Sequence, residues 1–138
     1  MSDEPIAERG PFRSCGSCHH AWERWPDFVL DRGVRLVGLQ ASAEWPHANL
    51  FIFEHACGST VSVLASRLRH LLREPAPDPA PHWFFGSEDC RKHCITLDDQ
   101  AGCDRPCANA RDRRLLELLM QIKKEGRVPE QLLGLPAI

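Results

Sequence analysis

The chain of 138 residues lacks long apolar runs, a strong net charge and an apolar leader. No uninterrupted apolar run approaches the roughly 18 residues that a transmembrane helix requires, so we expect no membrane contact. The first residues are acidic and polar, where a secretory signal would place basic and then apolar residues, so we expect a cytoplasmic protein. The formal net charge of -2 gives no overall field that attracts nucleic acid.

Motifs of known catalysis are also missing. The sequence contains no glycine-rich phosphate loop, no H-E-x-x-H pattern and no nucleophile elbow. These absences argue against an enzyme and favour a binding protein.

Cysteine and histidine are abundant, with seven residues of each. In a reduced compartment so many cysteines indicate metal binding or redox chemistry, because disulfides persist mainly in oxidising compartments. The cysteines fall into two sets on either side of a proline-rich stretch. The first set is Cys15, Cys18 and Cys57, and the second set is Cys90, Cys94, Cys103 and Cys107.

The proline-rich stretch covers residues 74–83. Its four prolines alternate with small or acidic residues, which favours an extended linker and excludes a helix. We therefore predict two small parts, residues 1–73 and residues 84–138. Domains of that size often need a staple besides an apolar core.

The first part is predicted to be mainly β. Apolar residues alternate in Val34–Gln40 and Thr60–Leu64, and residues 48–54 are rich in strand-favouring side chains. A short helix is predicted over residues 66–73, where three leucines share one face. The expected fold class is α+β, with a small antiparallel β subdomain that ends in this helix.

The second part is predicted to be helical. Ser87 is expected to cap a short helix that carries Cys90 and Cys94. Asp104 is expected to cap a long helix that ends near Gly126. The pattern therefore predicts a cysteine-rich helical hairpin and a C-terminal helix. The long helix has a basic face that we expect to be solvated. This face consists of Arg111, Arg113, Arg114, Lys123 and Lys124.

The first cysteine set predicts a metal site. Cys15 and Cys18 form a C-x-x-C, whose tight turn lets two thiolates reach one ion. Cys57 ends a predicted strand and precedes a glycine that suits a turn. With His55 as the preferred fourth ligand, the set would complete a closed tetrahedral zinc site. The rival histidines are His19, His20 and His47.

This pattern resembles a zinc-ribbon or rubredoxin-like knuckle, with a C-x-x-C turn, intervening strands and a second cysteine turn ending in glycine. The resemblance covers residues 15–64 and concerns the fold. Such domains usually supply a second C-x-x-C, whereas this chain has Glu54 three residues before Cys57. An iron tetrathiolate would need that fourth sulfur. The resemblance implies a small domain stapled by a metal, and it carries no particular activity.

Other interpretations of the first motif stay open. With His19 it resembles the C-x-x-C-H attachment motif of c-type haem, although haem attachment normally occurs outside the cytoplasm. A thioredoxin-like redox motif would need a preceding strand and helix, for which the fourteen residues before Cys15 leave no room. Buried thiols without a ligand are the third interpretation.

The second set consists of two C-x3-C pairs. On helices each pair would project from one face, so that the pairs can meet across a hairpin. Four thiolates suit either a zinc site or an iron-sulfur cluster, and the spacing does not identify a cluster type. His93 is an alternate ligand.

Twin C-x3-C motifs also resemble helical hairpins stapled by two nested disulfides. That resemblance would pair Cys90 with Cys107 and Cys94 with Cys103, and it implies an oxidising compartment. Unlinked thiols are a further alternative.

We therefore predict a cytoplasmic protein in which two zinc ions support subdomains that present a surface to a protein partner, rather than to nucleic acid. The alternative is an iron-sulfur protein that carries electrons or senses redox state through the second set. A third hypothesis is a zinc-thiolate switch that releases metal on oxidation. The basic residues expected at the partner surface are Arg67, Arg69, His70, Arg73 and those at 111–114.

Overall fold

The computed structural model describes residues 10–42, 48–73, 88, 90, 92–103, 107 and 109–138. Within these residues the fold is mixed α and β, as predicted, with two small antiparallel sheets and few helices. None of the helices in the described part of the chain has both the length and the apolar character that a membrane crossing demands.

Five strands and three α-helices make up the described fold. In chain order they are β1 (Arg13–Ser14), β2 (Ala21–Trp22), α1 (Trp25–Leu30), β3 (Val34–Gln40), β4 (Leu50–His55), β5 (Thr60–Leu64), α2 (Ala110–Glu125) and α3 (Glu130–Leu133). Strands β1 and β2 pair as a small hairpin, and the main sheet has the order β3-β4-β5. Short 3-10 helices span Ala65–Arg67, Arg69–Leu72 and His93–Ile95.

The three strands predicted for the main sheet are confirmed. β3 and β5 have the predicted bounds, and β4 covers Leu50–His55 where residues 48–54 were expected. Phe51 and Phe53 of β4 are fully buried, because alternate side chains of a strand point to the same face. This face supplies much of the core.

The helix predicted over residues 66–73 is instead a pair of 3-10 helices, Ala65–Arg67 and Arg69–Leu72. Leu68 lies between the two 3-10 helices and Leu71 lies in the second, and both side chains are buried in the core. Arg73 then takes a left-handed conformation and ends the run.

The long C-terminal helix is confirmed, with a later start. α2 begins at Ala110 rather than near Asp104, which lies outside the described residues. It ends before Gly126, whose φ of 72 closes the helix as glycine does readily. Its buried apolar face consists of Leu115, Leu116, Leu119 and Ile122.

The helical hairpin predicted for the second cysteine set is not confirmed by the described residues of this stretch. Cys94 lies in a three-residue 3-10 helix, and Cys103 and Cys107 precede α2 in irregular chain. The carbonyl of Ala101 accepts a hydrogen bond from the side chain of Arg113, 2.9 Å away, instead of from a helical N–H group. The stretch between the two cysteine pairs therefore bonds to α2 through Ala101, besides its own turn, in which the N–H group of Asp99 donates to the carbonyl of Thr96 at 3.1 Å. The predicted cap Ser87 lies outside the described residues.

Apolar residues from both predicted parts lie in one core. Its largest fully buried members in the first part are Trp25, Phe28, Phe51, Phe53 and Leu39, and α2 adds its four buried aliphatic residues. The predicted linker at residues 74–83 lies outside the described residues, so the boundaries of the two parts stay a prediction.

A buried carboxylate joins α2 to the first part of the chain. Asp112 has no exposed surface, and its two oxygens each accept a hydrogen bond of 2.8 Å from the guanidinium of Arg69. The side-chain amide of Asn49 donates a third bond, also of 2.8 Å. Because a buried charge is costly unless it is paired in this way, Asp112 fixes how α2 sits on the sheet.

The basic face of α2 is not solvated throughout, contrary to the prediction. Arg113 has no exposed surface, and the ammonium group of Lys123 donates to the carbonyl of Val29 at 2.7 Å. Arg69, which was expected at a partner surface, is paired with Asp112. These charges bond within the chain, and a partner at the predicted basic surface stays a prediction.

Gly38 marks the point where the second part lies against the edge strand β3. A Cβ atom at this position would lie 1.7 Å from the carbonyl oxygen of Leu97. We expect Gly38→Ala to lower the free energy of unfolding by about 1–3 kcal/mol, because backbone atoms cannot yield as a flexible side chain does. Denaturant unfolding measures the change. Gly134→Ala is the control, since a Cβ there meets nothing within 4 Å; equal losses in both variants would contradict the contact.

Candidate metal centre

The turn between β1 and β2 presents Cys15 and Cys18. The N–H group of Cys15 donates to the carbonyl of His20 at 2.8 Å, and that of His19 donates to the carbonyl of Cys15 at 3.0 Å. His19 takes a left-handed conformation with φ of 66, which lets the chain reverse directly after the C-x-x-C. The two cysteines are therefore held on one side of a tight knuckle.

The turn between β4 and β5 presents His55 and Cys57. The N–H group of His55 donates to the carbonyl of Ser59, and that of Gly58 donates to the carbonyl of His55, each at 2.8 Å. Gly58 has φ of 97, a conformation that glycine adopts without strain. The turn glycine predicted after Cys57 is confirmed.

The two turns bring the four predicted ligand residues together, with their ligand atoms all within 4.8 Å of one another. The sulfurs of Cys15 and Cys57 lie 3.6 Å apart. Nδ1 of His55 lies 3.6 Å from the sulfur of Cys18 and 3.1 Å from that of Cys57. Around a tetrahedral zinc ion, two sulfurs stand about 3.8 Å apart and a sulfur and a nitrogen about 3.6 Å apart. The group has the size of one tetrahedral coordination shell.

His55 is the histidine that the structure places in this group. The rivals His19 and His20 are not members of it, and His47 lies outside the described residues. Cys15 is buried, His55 is half-buried, and Cys18 and Cys57 are exposed. The site therefore lies at the surface, with Cys15 as its one buried ligand.

Cys15 is prepared as a thiolate. The backbone N–H of Cys18, the hydroxyl of Ser59 and the backbone N–H of Ser17 lower its pKa to about 5, against the opposing effect of burial. A thiol with this pKa is ionised at neutral pH, and the thiolate is the form that binds metals.

Ser59 is a residue of the candidate site that the spacing of cysteines and histidines does not reveal. Its hydroxyl oxygen lies 3.1 Å from the sulfurs of both Cys15 and Cys57. The hydroxyl and the backbone N–H of Ser59 also lower the pKa of Cys57. The one indication of this role in the sequence is that Ser59 lies two residues after Cys57, in a turn where N–H groups can donate to the sulfur.

The other two ligands hold protons more firmly. The N–H of His20 lowers the pKa of Cys18, but burial and the sulfurs of Cys15 and Cys57 outweigh it and raise the pKa. A hydrogen bond to Cys15 raises the pKa of His55, with Cys57 adding to the effect. Protons on these two groups must leave when a metal binds.

Trp22 supports the imidazole ligand from the side. Its ring meets that of His55 edge to face, with centroids 5.1 Å apart and planes at 80°. The indole N–H donates to the carboxylate of Asp31 at 2.8 Å, which fixes the indole in turn. Such outer contacts orient the side chains that bind a metal.

The second cysteine set is not assembled in the same way. Its four thiols are half-buried, and all seven cysteines of the chain are free of disulfides. Among the described residues, which include these four, the one group of close His, Cys, Asp or Glu ligands is the Cys15 group. A second zinc ion or an iron-sulfur cluster at the second set therefore stays a prediction.

Comparison with known proteins does not assign the chain to a family. A scan against models of protein families, a search of curated proteins and a search of solved structures each found no match. The metal interpretation therefore rests on the geometry of the four ligand atoms.

Zinc affinity is expected to fall as the pH falls, because protons compete for Cys18 and His55 first and for Cys15 only near pH 5. Ser59→Ala removes a donor that stabilises two thiolates. We expect it to weaken zinc binding roughly tenfold and to move the pH of half-release upward. Competition with a chromophoric chelator across pH measures both quantities.

Ser17→Ala is the matched control, because it keeps the backbone N–H that bonds to Cys15. A downward shift of the half-release pH in Ser59→Ala, or equal shifts in both variants, would contradict the role of the Ser59 hydroxyl.

Proposed function

We propose that Cys15, Cys18, His55 and Cys57 bind one structural zinc ion, and that the chain is a small protein-interaction or regulatory module built on it. The observation that carries the proposal is the spacing of the four ligand atoms, all within 4.8 Å. Three sulfurs and one imidazole nitrogen form a ligand set typical of structural zinc.

The ligand set favours zinc over calcium, magnesium and iron. Thiolate and imidazole ligands in a tetrahedral arrangement are typical of zinc, whereas calcium and magnesium prefer oxygen. An iron tetrathiolate would need a fourth sulfur in place of His55. With four protein ligands, no position is left for water or substrate, which favours a structural role.

The zinc ion would join two elements that are far apart in sequence. Cys15 and Cys57 are 42 residues apart and belong to different hairpins. The β1–β2 hairpin pairs only two residues from each strand, and a hairpin of that size is at best marginally stable alone. Zinc would attach it to the main sheet, so binding free energy becomes folding free energy.

Removal of the ligand His55 tests this proposal. We expect His55→Gln to lose one zinc ion per chain and to lower the melting temperature by about 10 °C or more. A chelator should lower the melting temperature of the wild-type chain in the same way. Elemental analysis and thermal unfolding measure the two effects.

His20→Gln is the matched control, because the His20 ring lies beside that of His55, with centroids 6.0 Å apart, but outside the ligand group. This variant should keep its zinc. Unchanged zinc content in His55→Gln would contradict the proposed ligand set.

A protein partner fits the described surface better than nucleic acid does. The net charge is -2, and the cations of Arg69 and Arg113 are used within the fold. Ile95 is 62% exposed and Leu97 is 38% exposed, two residues apart on the segment that lies against β3. Exposed apolar groups that lie close together favour contact with another protein.

A photo-reactive residue at position 95 tests the partner role in cells. We expect one discrete cross-linked species from position 95 that is absent from position 121, where the exposed Gln121 lies on α2. The same species should disappear from a Leu97→Asp background. Cross-linking that is equal at both positions, or absent at position 95, would contradict this surface.

A further inference from the structure

The described residues of the segment that carries the second cysteine set lie outside the apolar core. None of the described residues between 88 and 107 is buried. Ordering such a segment costs conformational entropy, which apolar burial here does not offset. Small elements of this kind are commonly held by a metal or by disulfides. The four half-buried cysteines, Cys90, Cys94, Cys103 and Cys107, are the groups able to supply such a link.

Arg113 holds the middle of this segment against α2. Its guanidinium is fully buried and donates to the carbonyl of Ala101 at 2.9 Å and to that of His93 at 3.2 Å. These bonds fix the backbone next to Cys94. The buried cation also stands close enough to Cys94 to oppose the rise in its pKa.

The other cysteines are fixed at the same end of the helix. The guanidinium of Arg114 donates to the carbonyl of Cys103 at 3.3 Å, and the N–H group of Ala110 donates to the carbonyl of Cys107 at 3.0 Å. Both donors belong to the first turns of α2. Three of the four cysteines therefore have backbone attached to one end of this helix.

Burial acts on two of the four thiols, Cys94 and Cys107. Burial raises the pKa of Cys94 to about 11, and the thiols of Cys107, Cys103 and Cys90 add to the rise. Burial likewise raises the pKa of Cys107, with Cys90 and Cys103 contributing. Partial burial therefore favours the neutral thiol at Cys94 and Cys107 until a metal displaces the proton.

Backbone donors meet sulfur here as they do in the first site. The N–H group of Lys92 lies 3.3 Å from the sulfur of Cys90, two residues before it. Hydrogen bonds from the N–H groups of Asn109 and Ala110 act on the thiol of Cys107. Ser17 and Cys18 supply the same bonds to Cys15. Turns of this kind stabilise metal-bound thiolates.

We propose that Cys90, Cys94, Cys103 and Cys107 bind a second zinc ion as four thiolates and thereby fasten residues 90–107 to the start of α2. Their sulfurs do not yet form a group as close as the first one, so binding must draw them together. Each thiol releases its proton as its sulfur bonds to the ion. A zinc tetrathiolate carries net negative charge, and the buried guanidinium of Arg113, which is also paired with the carboxylate of Asp99 at 3.3 Å, lies near Cys94.

Zinc titration of the chelator-stripped full chain under reducing conditions tests the proposal, with native mass spectrometry to count bound ions. We expect two ions in the wild type, one in Cys94→Ser/Cys107→Ser and one in Cys15→Ser/Cys57→Ser. His93→Gln is the matched control and should bind two. If the first site alone fails, the Cys94→Ser/Cys107→Ser chain binds no zinc. If the second site alone fails, that chain still binds one ion, so the two failures can be told apart.

A wild-type chain that saturates at one zinc ion, or a Cys94→Ser/Cys107→Ser chain that still binds two, would overturn the second site. Iron with acid-labile sulfide in the purified chain, lost in that variant, would also overturn it, as would disulfides among these cysteines after thiol trapping.

A measurement on the wild type guards against variants that do not fold. Lys92 is exposed next to the proposed ligands, so trypsin can cleave after it. We expect the second equivalent of zinc to slow this cleavage about tenfold, because an ordered segment must open before a protease can bind it. A cleavage rate that does not change between the first and second equivalents would contradict the proposal.

Discussion

Three sulfurs and one imidazole nitrogen meet at the ends of two hairpin turns, where the β1–β2 hairpin joins the main sheet alongside the bond from Arg13 to the carbonyl of Ser62. The turns approach closely enough for Cys15 and Cys57 to lie 3.6 Å apart. Without a bound cation, thiolates at that distance repel one another, and burial together with the sulfurs of Cys15 and Cys57 raises the pKa of Cys18. A divalent ion would remove this repulsion, so the close approach of the sulfurs favours the proposed zinc.

Helix α2 connects this region with the rest of the chain through two adjacent charged residues. Asp112 is paired with Arg69 of the second 3-10 helix, whereas Arg113 bonds to carbonyls of the cysteine-rich segment. Neighbouring positions on a helix point about 100° apart, so one turn can serve both sides. Both side chains are fully buried, and each bonds to polar groups that lie outside α2. The bonds of Asp112 and Arg113 therefore link α2 to both parts of the chain.

How far the sequence predicts this structure depends on the range of the interactions. The strands of the main sheet follow from local alternation, and the ligand set at Cys15 follows from a C-x-x-C turn and a short His-x-Cys turn. Ser59 escapes prediction because a serine in a turn has no distinctive pattern. Arg113 escapes because charged residues on a helix normally face water, and its burial depends on carbonyls contributed by distant chain. The hairpin predicted for the second set is likewise not confirmed by the described residues.

The central claim is a closed zinc shell of three sulfurs and one nitrogen at Cys15, Cys18, His55 and Cys57. X-ray absorption at the zinc edge of the Cys94→Ser/Cys107→Ser chain measures this shell directly, because only the first site remains. The account predicts three sulfurs at about 2.3 Å and one nitrogen at about 2.0–2.1 Å, with no oxygen. A shell with one or more oxygen ligands, or with fewer than three sulfurs, would contradict it.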